Sequence, residues 1–275
     1  MSVLDLALLL MVVAAAVSII AELLRFPYTI ALVVTGLVVG NFHLLPAVPI
    51  TPEVLLTFFI PPLLFEGGLR LPPEHLRSYG WVIGLLAIPG TVIAALAIGG
   101  AAAAVSHLTL QGALLMGAIA AAIDPVSVIA LIREAGLDAR LGAVLEGEAV
   151  LNDGVAIVLF TVIAGGFAGG LFAATWQFVW LIGGGLAVGS LVAAVVSYAL
   201  RRTYQPRVEA MGSLIAALAS FVAADTLGVS GVIAVVLAGV VFGSYGLRYL
   251  TDAGQETVRI LWDVIAFLAN SVLFL

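Results

Sequence analysis

Apolar segments of similar length, separated by short polar or proline-bearing breaks, fill almost the whole chain. A helix needs roughly 20 mostly apolar residues to cross a bilayer, and the sequence can be divided into about ten segments of that length. They lie near residues 3–21, 28–45, 53–69, 79–99, 111–132, 141–164, 176–199, 210–227, 230–246 and 261–275. The pattern predicts an all-α polytopic membrane protein of about ten transmembrane helices, with residues 1–275 forming a single transmembrane domain.

The composition supports lipid as the solvent around these helices. Hydrophobic residues make up 63% of the chain and charged residues only 9%, whereas about a quarter of the residues in soluble domains are charged. A net charge of −6 offers no basic surface for nucleic acid. We therefore expect the bilayer as a partner and no nucleic acid.

The basic residues predict the orientation of the helices in the membrane. All of them are arginines, and each follows an odd-numbered predicted helix. Predicted helix 1 is followed by Arg25, helix 3 by Arg70 and Arg77, and helix 5 by Arg133 and Arg140. Predicted helix 7 is followed by Arg201, Arg202 and Arg207, and helix 9 by Arg248 and Arg259. Because arginine-bearing loops stay in the cytoplasm, the N-terminus is predicted to lie outside.

An aspartate and a proline interrupt the middle of the fifth predicted helix. Asp124 precedes Pro125 in an otherwise apolar stretch. Proline has no N–H and clashes with the carbonyl four residues before it, so the helix is expected to break and to free carbonyl oxygens around Ala121. Unpaired carbonyls and half-helix ends at membrane depth can hold an ion. A simple proline kink would explain Pro125 but not Asp124.

The sixth predicted helix carries four polar residues at membrane depth: Glu146, Glu148, Asn152 and Asp153. At 3.6 residues per turn, Glu148 and Asn152 share one stripe, while Glu146 and Asp153 share a neighbouring one. Three carboxylates in a dry interior cannot all remain ionised, so at least one must be paired, hydrated or protonated. A carboxylate of this kind can hold either a proton or a hard cation. A purely structural polar network is the alternative, especially for Glu146.

Glu66 is a further carboxylate within an apolar segment, late in the third predicted helix. Prolines precede it by one turn, and Gly67 and Gly68 follow it, which allows a neighbouring helix to approach closely. Glu66 can be a functional group, or it can mark the cytoplasmic end of the helix near Arg70. Asp225 and Asp263 are interpreted as residues at helix ends or at the membrane interface.

The chain resembles the family of monovalent cation/proton antiporters that includes bacterial sodium/proton antiporters and animal sodium/proton exchangers. The resemblance rests on RFPYTIALVVTGLVVG, FFIPPLLFEGGL, IDPVSVIAL, EGEAVLNDGVAIVLF, SGVIAVVLAGVVFG and FLANSVLFL, which occur in the family's order. The Asp-Pro element followed by Asn-Asp is its most specific part.

The resemblance implies a secondary active transporter, not an enzyme, that exchanges Na⁺ for H⁺ by alternating access. Asp153 would bind Na⁺ and H⁺ in turn, and Asn152 would make the exchange electroneutral. Asp124 would mark the helix break, and Glu66 would be an auxiliary ligand. The implied fold has two inverted repeats with crossing broken helices. A homodimer in a bacterial inner membrane is expected, and no cofactor.

Two departures from the family pattern affect these expectations. Ala149 stands where relatives often have a hydroxyl residue, four positions before Asp153. The chain is also expected to be truncated at its C-terminus, since relatives continue to a second broken helix and an arginine that would pair with the acid corresponding to Glu148. K⁺/H⁺ exchange and a non-transporting fragment are the alternatives. An intramembrane aspartyl protease using Asp124 and Asp153 is a third, but neither aspartate has the usual sequence context.

Overall fold

The computed structural model describes residues 3–24, 26, 28–42, 59–122, 139–167 and 169–274. Within these ranges all regular structure is helical, which confirms the all-α prediction. The helices are α1 (Val3–Leu23), α2 (Tyr28–Asn41), α3 (Ile60–Arg70), α4 (Pro73–Leu85), α5 (Thr91–Val105), α6 (Leu110–Ala120), α7 (Ala139–Ala164), α8 (Gly170–Leu200), α9 (Pro206–Thr226), α10 (Gly231–Val241) and α11 (Asp252–Phe274). A π-helical turn, Leu86–Gly90, joins α4 to α5. A second π-helical turn, Phe242–Gly246, and a 3₁₀ turn, Leu247–Tyr249, follow α10.

Six helical runs in the described part of the chain are long and apolar enough to cross a membrane. These are Pro73–Val105, Arg140–Ala164, Gly170–Leu200, Pro206–Thr226, Gly231–Tyr249 and Asp252–Phe274. Three shorter apolar helices are Leu8–Leu23, Ile30–Asn41 and Leu110–Ala120. The length and composition of these helices identify an integral membrane protein. The number of ten membrane crossings stays a prediction.

Several helices are longer than the hydrophobic pattern predicts, among them α8, which begins at Gly170 instead of near residue 176. The run expected over 79–99 extends from Pro73 to Val105, because proline fits the first turn of a helix, where its missing N–H is not needed. The last helix begins at Asp252 instead of near residue 261. Asp263 consequently lies inside α11 and not at its end, whereas Asp225 lies in the last turn of α9 as predicted.

The chain divides into two compact units: Met1–Leu63 with Arg259–Leu275, and Leu64–Val258. In the first unit α1 packs against α2. The ring of Tyr28, at the start of α2, stacks on that of Phe267 with centroids 5.6 Å apart. The second unit contains the polar residues of α7 that the sequence singles out as a candidate site.

Helix α7 lies at the centre of the second unit. Its Val155, Val158 and Val162 pack with Ile182 of α8 and Ile233 of α10. A neighbouring cluster joins Leu159 and Ile163 of α7 to alanines of α5 and α6. Since lipid is as apolar as these side chains, the helices associate through close packing and not through exclusion of water.

Glycines allow the backbones of neighbouring helices to touch in this unit. A β-carbon at Gly117 of α6 would lie 2.2 Å from the carbonyl oxygen of Ala95 on α5. One at Gly189 of α8 would lie 2.0 Å from the carbonyl oxygen of Ala234 on α10. Both distances are shorter than any van der Waals contact, so only glycine fits at these crossings.

A buried carboxylate caps the start of α11. Glu209, in the first turn of α9, is 0% exposed. It accepts hydrogen bonds from the Thr251 amide, at 3.3 and 3.2 Å, and from the Thr251 hydroxyl, at 2.9 Å. The same hydroxyl accepts from the Gly254 amide at 3.0 Å, as an N-cap residue does. The negative charge thus lies at the positive end of the helix dipole. Sequence reasoning missed Glu209.

Candidate functional site

The candidate site is built on α7, which presents all four polar residues predicted for it. Asn152 is 1% exposed, whereas Glu146, Glu148 and Asp153 are partly buried. The Glu148 and Asn152 side chains are neighbours on the same stripe of α7, as their spacing of one turn predicts. Asp153 follows Asn152 directly, so any group that holds the Asn152 amide also fixes the backbone beside Asp153.

Asn152 connects α7 to two other helices. Its Nδ2 donates to the carbonyl oxygen of Ala121, just beyond the end of α6, at 3.1 Å. Its Oδ1 accepts from the Thr91 hydroxyl of α5 at 2.8 Å. The amide therefore uses its donor and acceptor ends on different helices and holds three segments of the second unit together.

The Ala121 carbonyl lies just beyond the end of α6, and its predicted role as a carbonyl freed by a helix break stays a prediction. Helix α6 ends at Ala120, before the expected limit of 132, and the Ala121 carbonyl accepts a hydrogen bond from the Asn152 side chain. Asp124 and Pro125, which motivated the prediction, lie outside the described residues. The interruption of the fifth predicted helix therefore stays a prediction.

Sequence reasoning missed Thr91, which is 2% exposed and bonded to the site. Thr91 begins α5 directly after the π-helical turn that contains Pro89. A proline within a helix removes one backbone hydrogen bond, and a wider turn accommodates it. The available signal was a hydroxyl next to Pro-Gly within a strongly apolar segment, IPGTVIAAL.

Glu66 lies on α3, at a point where that helix closely approaches both α7 and α10. A β-carbon at Gly67 would meet the Val150 side chain of α7 at 3.2 Å, and one at Gly68 would lie 2.5 Å from the Val236 carbonyl of α10. The close approach predicted from these glycines is confirmed. The Glu66 carboxylate, 12% exposed, forms an ion pair with the more exposed Arg70 one turn later.

This ion pair agrees with the interpretation of Glu66 as marking a helix end beside Arg70. The ion pair is also compatible with Glu66 as an auxiliary cation ligand, because a carboxylate has more acceptor sites than one guanidinium occupies. The contact between Gly67 and Val150 brings the backbone of α3 against α7 two residues before Asn152.

Comparison with protein families finds a match over nearly the whole chain. The family described as "Sodium/hydrogen exchanger, transmembrane" matches residues 8–275. The Na(+)/H(+) antiporter ApNhaP of Aphanothece halophytica is 40% identical, over 91% of this chain and 49% of its own length. The Na(+)/H(+) antiporter NhaH of Halobacillus aidingensis is 33% identical, over 98% of this chain and 71% of its own length.

A solved structure has a similar fold. The sodium proton antiporter MjNhaP1 of Methanocaldococcus jannaschii superposes with a TM-score of 0.79 over 98% of this chain and 68% of that one, at 24% identity. The chain spans about half the length of the first curated relatives it matches.

Proposed function

The chain belongs to the sodium/hydrogen exchanger family, and from that membership we propose that its protein exchanges Na⁺ for H⁺ across a bacterial plasma membrane. The relatives it matches are named as Na⁺/H⁺ antiporters. The family consists of secondary transporters and not of enzymes, which leaves no place for the protease alternative. Because the chain spans about half of several relatives, the proposal concerns the protein expressed from its complete gene.

Asp153 is the proposed carboxylate that binds Na⁺ and H⁺ in turn. The observation that carries this proposal is the buried amide of Asn152, the residue before Asp153, which ties α7 to the Thr91 hydroxyl and the Ala121 carbonyl. Carboxylate, amide and carbonyl oxygens are the hard ligands that alkali cations prefer, and α7 carries the first two at successive positions. Protonation removes the negative charge, so a proton and a cation compete for the same group.

The remaining predicted site residues have supporting roles in this proposal. Asp124 and Pro125 interrupt the fifth predicted helix in this proposal, so that carbonyl oxygens such as that of Ala121 can act as cation ligands. Glu66 is an auxiliary ligand on α3. Glu148 and Glu146 belong to the polar network around the site, with Glu148 one turn before Asn152 on the same stripe of α7.

The proposed exchange is electroneutral, one Na⁺ for one H⁺, because Asn152 carries no titrating proton and Asp153 carries one. The ion pair of Glu66 with Arg70 supports a single titrating carboxylate per cycle. In proteoliposomes an imposed membrane potential should leave the exchange rate unchanged, and a more acidic medium should inhibit Na⁺ uptake competitively. A rate that rises with the potential would contradict one-for-one exchange.

The direct test of the proposal is the substitution Asp153→Asn. It keeps the volume of the side chain and removes the charge that binds the cation, so Na⁺-driven proton flux should be lost. Asp225→Asn is the matched control, because Asp225 is exposed in the last turn of α9. A tenfold loss of flux corresponds to a rise of only about 1.4 kcal/mol in the height of the transport barrier. If Asp153→Asn kept more than about a tenth of the original flux, Asp153 would not be the central carboxylate.

The proposed architecture has ten membrane crossings with inverted repeats, alternating access, an external N-terminus and a homodimer. What supports it is membership of the family, together with the arginine pattern of the sequence for the orientation. Cross-linking in native membranes tests the dimer, and a single species at the monomer mass would contradict it.

Cation selectivity is the second part of the proposal. Na⁺ is the substrate named for the relatives, while the buried Ala149 supplies no hydroxyl ligand one turn before Asp153. Exchange of K⁺ or Li⁺ is tested by replacing Na⁺ with each ion in the same flux assay. If the exchange reached its maximal rate at a lower concentration of K⁺ than of Na⁺, the result would favour the K⁺/H⁺ alternative.

A further inference from the structure

We propose that Thr91 is a positioning residue that competes with the transported cation for the side-chain oxygen of Asn152. The inference rests on the function proposed above and assigns a role to a helix outside the predicted site. Thr91 belongs to α5 and stands 61 residues before Asn152 in the chain. Both side chains are almost fully buried, at 2% and 1% exposed.

The orientation of the Asn152 amide follows from its two partners. The Ala121 carbonyl can only accept, so the amide end that lies 3.1 Å from it must be the donor, Nδ2. The other end, Oδ1, then faces the Thr91 hydroxyl at 2.8 Å. Thr91 therefore has to donate its hydrogen to Asn152 in this arrangement.

The Thr91 hydroxyl has a second acceptor within reach and only one hydrogen. Its Oγ1 lies 2.6 Å from the Ala87 carbonyl, four residues earlier in the same helical run. A threonine in a helix commonly donates to that carbonyl. The hydrogen can thus serve either the Ala87 carbonyl or Asn152 Oδ1, and it cannot serve both fully at once.

These two acceptors define two states of the site. Without a cation, Thr91 donates to Asn152 and occupies the amide oxygen. When a cation takes that oxygen as a ligand, the hydroxyl hydrogen turns to the Ala87 carbonyl, so no buried donor is left without an acceptor. Thr91 thereby weakens cation binding and assists release, because the oxygen regains a hydrogen bond when the cation leaves.

A purely structural role for Thr91 predicts a different result. If the hydroxyl only joined α5 to α7, its removal would lower stability and leave the apparent affinity for Na⁺ unchanged. If it competes with the cation, its removal leaves Asn152 Oδ1 without its donor in the cation-free state alone. Cation binding should then become tighter.

The test compares Thr91→Val, which has nearly the same shape without the hydroxyl, with Thr91→Ser, which keeps the hydroxyl. Na⁺-driven proton flux is measured in proteoliposomes of the protein from its complete gene. In Thr91→Val the apparent KM for Na⁺ should fall by about tenfold, the order expected when a buried acceptor loses its donor. The maximal rate should fall too, because release slows. Thr91→Ser should stay within about twofold of the original protein in both.

Thr161→Val is the control, since the Thr161 hydroxyl is exposed and bonds only its own helix, at the Ile157 carbonyl, in the described structure. Thr91→Ala takes the place of the valine variant if that protein does not fold. An unchanged or raised KM in the folded variant overturns the inference, and so does a serine variant that behaves like the valine variant. If the unsubstituted protein shows no Na⁺-coupled proton flux, the proposed function itself fails, and this inference with it.

Discussion

Replacement of Asn152 by alanine should destabilise the protein by an amount that its hydrogen bonds allow us to work out. The substitution removes the donor to the Ala121 carbonyl and the acceptor of the Thr91 hydroxyl. Thr91 loses little, because the Ala87 carbonyl lies 2.6 Å away and can accept instead. Ala121 is 1% exposed and its carbonyl has no such substitute among the described hydrogen bonds.

The free energy of unfolding should therefore fall mainly through one orphaned carbonyl. An unsatisfied buried acceptor costs about 1–3 kcal/mol. Each lost hydrogen bond between membrane helices adds about 0.6 kcal/mol. Together they give a loss of about 2–4 kcal/mol for Asn152→Ala, well above the effect of about 0.5 kcal/mol expected for a substitution on an exposed face.

Unfolding by sodium dodecyl sulfate in mixed micelles, followed by circular dichroism, measures this free energy. Thr161→Ala is the matched control, since it removes an exposed hydroxyl bonded to its own helix at 2.8 Å. A loss for Asn152→Ala no larger than that of the control would refute the view that this amide holds α5, α6 and α7 together.

Three further predictions concern other parts of the molecule. Glu209→Gln should lower the free energy of unfolding by about 1 kcal/mol, because it removes a charge at the N-terminus of α11, and Glu209→Ala should lower it further; equal stability of both variants in the same micelle assay would contradict a capping role. Gly117→Val should prevent α5 and α6 from touching, since even a β-carbon would lie 2.2 Å from the Ala95 carbonyl; normal yield and thermal stability of this variant in detergent would exclude the close crossing. A cysteine placed beside Arg140 in this cysteine-free chain should react with an impermeant reagent in inside-out vesicles and not in intact cells; labelling from outside would overturn the orientation.

The sequence by itself determined that this is a helical membrane protein and which helix carries the polar residues of the candidate site. Hydropathy is a local property, so long apolar segments show where helices lie without any knowledge of their neighbours. The cost of polar side chains in an apolar interior singled out Glu148, Asn152 and Asp153 of α7, and helical periodicity paired Glu148 with Asn152. Helix ends were less well predicted, because prolines can lie in a first turn or in a π-helical turn without ending a helix.

Only the tertiary structure decided which groups meet at the site. The hydrogen bonds of Asn152 to Thr91 and Ala121 connect residues 61 and 31 positions away, and no local pattern encodes such distances. The bond between Glu209 and Thr251 spans 42 positions in the same way. Helix crossings fix these partners, and the crossings depend on where glycines let two backbones touch, as at Gly117. A buried polar group must find a partner, but the packing of the helices determines which partner it finds.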